Sequence, residues 1–279
     1  MRANLFSTLF LALFCLGFGP AMAKPAKKLW SNARISISKN VDDTGMATID
    51  VLSDGKLSKE PSDLFPRNSV EILWTRSGGK DIGPDVIVAG NNGGNHCGTF
   101  VYAISPGAAP PVEEVRSCVE KAKIGQKDGR PTMDCGLEFL AGNVPTNASS
   151  TILPLIWQDG KFVVDYARLL TPTPNGAQLA AIEQKIGEEL GAITQNYPPK
   201  SGEPDFGAIA TPQALLDLIF SGHADLAKEL LARSWPKRLQ GSEIYWRDLT
   251  KEFVEEPSWQ KFNLKQLPHA DVIAQFAAR

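Results

Sequence analysis

The feature that most narrows what this chain can fold into is a change of hydrophobic period at Thr171-Pro-Thr-Pro-Asn175. Before it, apolar residues recur at every second position, as in a strand with one buried face. After it they recur at every third and fourth, as on one side of a helix. The expected class is therefore α+β. An antiparallel β-domain over residues 30–172 should precede an α-helical region over residues 176–279.

Within the first part, 33–38 and 46–52 alternate apolar and polar residues, and 69–75 reads as another strand. Asp85-Val-Ile-Val-Ala89 is a continuous apolar run, the pattern of a strand covered on both faces. Further strands are expected at 100–104 and 152–157, where Asp159-Gly160 supplies a tight turn into 162–166. Roughly eight to ten short strands at this spacing suggest a sandwich or an incomplete, propeller-like barrel. In the second part, Leu179, Ile182, Ile186, Leu190 and Ile193 form one helical stripe that Pro198-Pro199 ends. Thr211-Pro212 reads as a cap followed by a first-turn proline. A helical hairpin broken at Ser221-Gly222 follows, then a helix capped by Ser242, an aromatic cluster at Trp259 and Phe262, and a last helical turn or two from Asp271.

The opening residues carry an address rather than a fold. Met1-Arg2 precedes an apolar run from Leu5 to Phe18, then Gly19-Pro20 and Ala21-Met22-Ala23. A run of roughly 14 residues falls short of the about 20 that a spanning helix needs. Small residues before the cut suit a signal peptidase. Residues 1–23 are accordingly expected to be a signal peptide cleaved near Ala23, with the mature chain in the periplasm or secreted and without a transmembrane segment. Cys15 follows Phe14, where a lipoprotein signal would place a small residue, so it is assigned to the discarded peptide. With 29 basic and 31 acidic residues the chain lacks the concentrated basic surface that a nucleic-acid partner requires. Lys24, Lys27 and Lys28 read as a solvated tail after the cut, with contact to anionic lipid or cell-wall polymer as the alternative.

Export would expose Cys97, Cys118 and Cys135 to oxidising conditions. The segment between the first two reads as strand, turn and strand, which returns their positions to one another, so a Cys97–Cys118 disulfide is expected. It would stabilise the fold by about 3 kcal/mol through loop closure. Cys135 competes as a partner for either; if free, it should be buried rather than reactive. The adjoining Ala89-Gly-Asn-Asn-Gly-Gly-Asn-His-Cys-Gly98 permits close approach by another group, making Asn91, Asn92, Asn95 and His96 a candidate ligand loop. His96 and Cys97 are not read as a catalytic pair, because neighbours on a strand point to opposite faces.

Gly83-Pro-Asp-Val-Ile-Val-Ala-Gly90 with Gly93-Gly-Asn-His-Cys97, the Leu153-Pro-Leu-Ile-Trp157 hairpin with Asp159-Gly160, and Leu216-Asp-Leu-Ile-Phe-Ser-Gly-His-Ala224 through Ala232-Arg-Ser-Trp-Pro236 resemble secreted bacterial proteins with an FG-GAP-like β-domain and a helical tail. The resemblance covers about half of the mature chain and implies architecture and export, not an activity. FG-GAP loops hold calcium through spaced aspartates. Here only Asp81 and Asp85 stand in the matching region, and hard cations want about six or more oxygens. The reading is therefore no cofactor, with calcium as the alternative.

Other polar groups fit structural roles. Asp42-Asp43 and Asp50 suit turns and surface, Glu188-Glu189 and Glu255-Glu256 a solvated helix face, and His223 a cap. His269 shows no partner in the sequence, and Asn147-Ala-Ser149 is a formal glycosylation acceptor. Trp235, Tyr245, Trp246, Trp259 and Phe262 read as core of the helical part. The histidines share no metal-ligand spacing, and neither a Gly-x-Ser-x-Gly elbow nor a phosphate loop is present. No residue is assigned a catalytic, cofactor-binding or metal-binding role. The expected function is a non-catalytic binding module of the cell envelope, docking an envelope protein or polymer. The alternatives are an envelope hydrolase built from carboxylates of distant segments and a purely structural component.

Overall fold

The computed structural model describes residues 27–31, 35–53, 56–59, 65–66, 69–78, 82–92, 98–105, 112–117, 122–139, 149–196, 211–237 and 241–277. Residues 1–23 lie outside the described residues, as do Cys97, Cys118, Asn95, His96, Asp81 and Asn147.

The α+β class holds. Three open antiparallel sheets occupy the N-terminal part and helices the C-terminal part. The first sheet runs β1 (Lys27–Ser31), β2 (Ile35–Val41), β3 (Met46–Ser53) and β4 (Lys56–Lys59), with β5 (Phe65–Pro66) also on β3. The second is β6 (Glu71–Thr75), β7 (Val86–Asn91), β8 (Thr99–Ile104) and β9 (Val112–Ser117). The third is β10 (Ile124–Lys127), β11 (Arg130–Phe139), β12 (Ser149–Gln158) and β13 (Lys161–Val164). In the second and third sheets every strand pairs with its chain neighbour, so each is a simple meander.

The first sheet overturns one expectation. Lys27 and Lys28 do not form a free tail: they begin β1, paired opposite Lys39 and Ser38 of β2. The β10–β11 hairpin was not foreseen, although Asp128-Gly129 at its tip adopts the same paired positive φ (51° and 74°) as Asp159-Gly160 (50° and 84°). That backbone matches the right-handed twist of the flanking strands.

The middle sheet is covered on both faces, as the 85–89 run requires. Val86, Val88, Phe100, Tyr102 and Ile104 share one core with Ile35, Ile37, Ala47, Ile49 and Val51 of the first sheet. The alternate residues Ile87, Ala89, Val101, Ala103 and Val115 join a larger core with the third sheet and the helices. The register sorts them: Val88 opposes Tyr102 while Ala89 opposes Val101, and successive pairs face opposite ways. Each fully buried aliphatic side chain of this kind contributes about 1.5–3 kcal/mol relative to exposure.

The helices are α1 (Tyr166–Leu169), α2 (Gly176–Asn196), α3 (Gln213–Phe220), α4 (Ala224–Ser234), α5 (Ser242–Glu255), α6 (Pro257–Lys261) and α7 (Ala270–Ala277), with a 3₁₀ turn at Leu264–Gln266. Their tryptophans and Tyr245 are buried, so the aromatic residues are core as read. Two caps differ from expectation. Pro212 takes the cap position of α3, which leaves Thr211 buried beside the Tyr245 hydroxyl. Gly241, at φ 105°, caps α5, and Ser242 is its first residue.

The Pro-rich stretch is fastened to the helical hairpin. The Thr171 N–H donates to the Ser221 carbonyl at 3.3 Å, and the His223 ring donates from Nε2 to the Thr171 carbonyl at 3.1 Å. Gly222 turns between them at φ 94°, against Leu170 and Pro268. His223 is thus both the cap of α4 and a clasp on the segment before α2. His269 has a partner after all: its Nδ1 lies 3.7 Å from Asp225.

Candidate functional site

The glycine- and asparagine-rich loop leaves β7 and enters β8 through a closed neck. The Asn92 N–H donates to the Gly98 carbonyl at 2.9 Å, and the Asn91 side-chain amide donates to Thr99 Oγ1 at 2.9 Å. Asn91 is half-buried and acts as a brace, while Asn92 is exposed. Asn95 and His96 lie outside the described residues, so the loop contributes its neck alone to the description. Thr99 and Ser117, two residues after Cys97 and one before Cys118, are paired partners across β8 and β9; the two cysteines expected to be crosslinked lie outside the described residues.

Cys135 is free and buried on β11. Its Sγ lies 3.4 Å from the Arg116 carbonyl, and the neighbouring Gly136 N–H donates to Ser117 Oγ at 3.0 Å. Burial pushes its thiol up to about 12. A thiol held protonated is a poor nucleophile.

The aspartates singled out in the sequence hold turns. Asp42 Oδ1 accepts from the Thr44 hydroxyl and from the backbone N–H groups of Thr44 and Met46. The Thr44 hydroxyl is the largest of the causes that hold this carboxyl below its ordinary range. Asp50 accepts from the Asn40 side-chain amide. Asp85 faces Arg76 at 3.5 Å, so a cation would compete with a guanidinium for it. Among the described residues no three His, Cys, Asp or Glu side chains are placed to hold a metal ion. Asp81, the other aspartate of the calcium alternative, lies outside the described residues.

A cleft of about 390 Å³ lies elsewhere, where β11 and β12 meet α1 and α3. Pro154 and Ile152 supply its apolar floor from β12, flanked by Ser150 and by Asp134 of β11. Even-numbered residues share this side, because Leu153 and Leu155 turn into the core on the other. Leu169 of α1 and Phe220 of α3 add apolar walls. Ile152 is 45% exposed, whereas Leu153 and Leu155 of the same strand are fully buried.

The charges on the rim come from segments far apart in sequence. Arg168 Nη2 meets Asp134 at 3.0 Å, a pair with both members well exposed and worth under about 1 kcal/mol. Asp217 accepts from Gln213 one turn earlier on α3 at 2.8 Å, and no cation among the described residues pairs with it. Two carboxylates therefore reach one cleft, but each already accepts a hydrogen bond, and neither described histidine lines it.

None of the residues expected as ligand loop, crosslink or cation site lines this cleft, although Pro154, Asp217, Phe220 and Ser221 belong to segments that carry the resemblance. Its members come from four elements, which only tertiary packing brings together. Comparison with known protein families, with curated proteins and with solved structures returned no match.

Proposed function

We propose that this chain is an exported, non-catalytic binding module of the cell envelope, and that the cleft between β12, α1 and α3 is its docking face. The observation that carries the reading is the solvent-exposed Ile152 in an open cleft walled by Pro154, Leu169 and Phe220. A concave site with apolar walls and a few polar groups on its rim suits a bound partner. The rim carboxylates support binding over hydrolysis because both are exposed and neither described histidine stands beside them. A general acid needs a burial-raised pKa and a free path to substrate.

The second reading is a hydrolase, favoured by the one fact that Asp134 and Asp217 both line the cleft. One experiment separates the two. Mature protein and its Ile152→Arg variant are immobilised and exposed to envelope extract, and the same pair is assayed for release of soluble fragments from purified envelope polymer. The binding reading expects one stoichiometric partner that the variant loses, and no release. Release by the wild type that Asp134→Asn or Asp217→Asn abolishes would overturn it in favour of hydrolysis.

A further inference from the structure

We propose that the cleft accepts an extended peptide as an added strand on β12, with a lysine or arginine of that peptide meeting Asp217. This deepens, and rests on, the docking reading above.

The argument begins with backbone polarity. In an antiparallel ladder the N–H and C=O groups of alternate residues point to opposite edges. The Asp165 N–H donates to the Pro154 carbonyl at 2.8 Å, so position 154 faces the β13 side of β12. Period two places the backbone groups of Ile152 and Ser150 on the same edge. On the inner edge β11 pairs with β12 from Ser149 to Ile156. On the outer edge β13 reaches only Leu155 to Gln158. At Asp165 the chain leaves for α1, and among the described residues no strand takes up the outer edge over 149–153.

The cleft lies along this open stretch, since Ser150, Thr151, Ile152 and Pro154 all line it. Its volume of about 390 Å³ falls within the range of about 300–1,000 Å³ seen for ligand sites. Exposed edges are usually blunted by charge, proline or a covering element, because unpaired backbone groups template another strand. Here Pro154 blunts the end next to β13, and the residue at the middle of the open stretch is an exposed isoleucine. Backbone bonding of this kind supplies affinity, and side-chain pockets supply selectivity. Selectivity would come from charge. The Arg168–Asp134 pair is neutral as a unit, whereas Asp217 has no cation partner among the described residues. The complementary guest is an extended segment with a basic side chain beside an apolar one.

The test uses the full mature chain as bait for phage-displayed random heptapeptides, with the Ile152→Pro variant as the counter-bait. That substitution deletes one outward N–H and leaves the β11 ladder intact, as Pro154 already does two residues on. Enriched sequences should be rich in β-branched residues, contain Lys or Arg and lack an internal proline. A synthetic peptide of that sequence should bind Ile152→Pro at least about 10-fold more weakly, the loss of a hydrogen bond with its partner left unpaired. Asp217→Asn should weaken it about 3–10-fold and flatten its salt dependence. N-methylation of the peptide at alternate amides should abolish binding in one parity and spare the other. This readout needs no protein variant, so it decides the matter even if Ile152→Pro fails to fold.

Absence of enrichment, equal binding of the two N-methylated parities, or closure of this edge by a second copy of the chain in solution would each overturn strand addition. A partner captured from envelope extract and lost with Ile152→Arg, alongside such a failure, would leave the docking reading standing and remove only the strand.

Discussion

Gly222→Ala tests how tightly the β and helical parts are fastened. Gly222 ends α3 at φ 94°, a conformation that costs an L-residue about 1–2 kcal/mol. A Cβ there would stand 2.8 Å from Leu170 Cδ2 and 3.3 Å from Pro268 Cγ, so the leucine must swing outward or the turn must open. Overpacking of this kind costs about 1–3 kcal/mol. The sum is about 3.5 kcal/mol, taking the middle of each range. In a chain of this size each kcal/mol moves Tm by about 2–4 °C, so a fall of about 7–14 °C is expected in a calorimetric or circular-dichroism melt. Leu170 precedes Thr171, which bonds Ser221 and His223, so the same change should also speed amide exchange at Thr171. Gly191→Ala is the control. It lies within α2 with nothing within 4 Å of a new Cβ, and should raise stability by about 0.5–1 kcal/mol. A Tm for Gly222→Ala within about 2 °C of wild type would refute the reasoning, because neither strain nor crowding could then be present.

Cys135 should resist iodoacetamide in the native protein at pH 8 and react only on unfolding. Its folded value of about 12 lies above the ordinary 9.0, so the stability it contributes is complete below pH 9 and lost as pH rises toward 12. A base titration of unfolding in wild type and Cys135→Ala checks this, and identical alkaline limbs would argue against it. Asp42 should titrate below 3.8 by carboxyl-carbon NMR, contributing stability that is present above that pH and lost as the pH falls through its folded value. Asp42→Ala should abolish that part of the acid limb. Lys127→Met strips the partner, 3.0 Å away, from the buried Asp165 carboxylate and should cost about 1–2 kcal/mol, discounted because Lys127 is itself exposed. Adding Asp165→Asn should recover part of that loss in a urea-denaturation cycle.

The legible parts of the fold were those written in local period. The stripe from Leu179 to Leu190 became α2, and the apolar run at 85–89 became a strand buried on both sides. The β10–β11 hairpin is half legible: Met133, Cys135, Leu137 and Phe139 alternate with polar residues and glycine after the Asp128-Gly129 turn, whereas Ile124-Gly-Gln-Lys127 is polar and shows no alternation. Thr211 looked like a cap because cap chemistry is local. The burial of α3 overrode it by drawing that residue toward Tyr245. The cleft could not be read at all. Asp134, Ile152, Arg168 and Asp217 span more than eighty positions, and nothing in their spacing distinguishes them from surface residues.

What the sequence does record is why the edge of β12 stays open. Pro154 lacks the N–H with which a strand partner would complete its pair, so the β12–β13 ladder is weakened at the residue where it ends. Asp165, opposite it, is 6% exposed, donates its N–H to the Pro154 carbonyl and holds its carboxylate against Lys127. Those contacts fix the chain at its point of departure, and the next four residues coil into α1 instead of extending β13. A ten-residue strand is thereby left with a four-residue partner. Pro154→Val supplies the missing donor and should lengthen protection of β13 amides in hydrogen exchange. If strand addition is right, it should leave the affinity of the selected peptides intact, because the edge they occupy begins only beyond that residue.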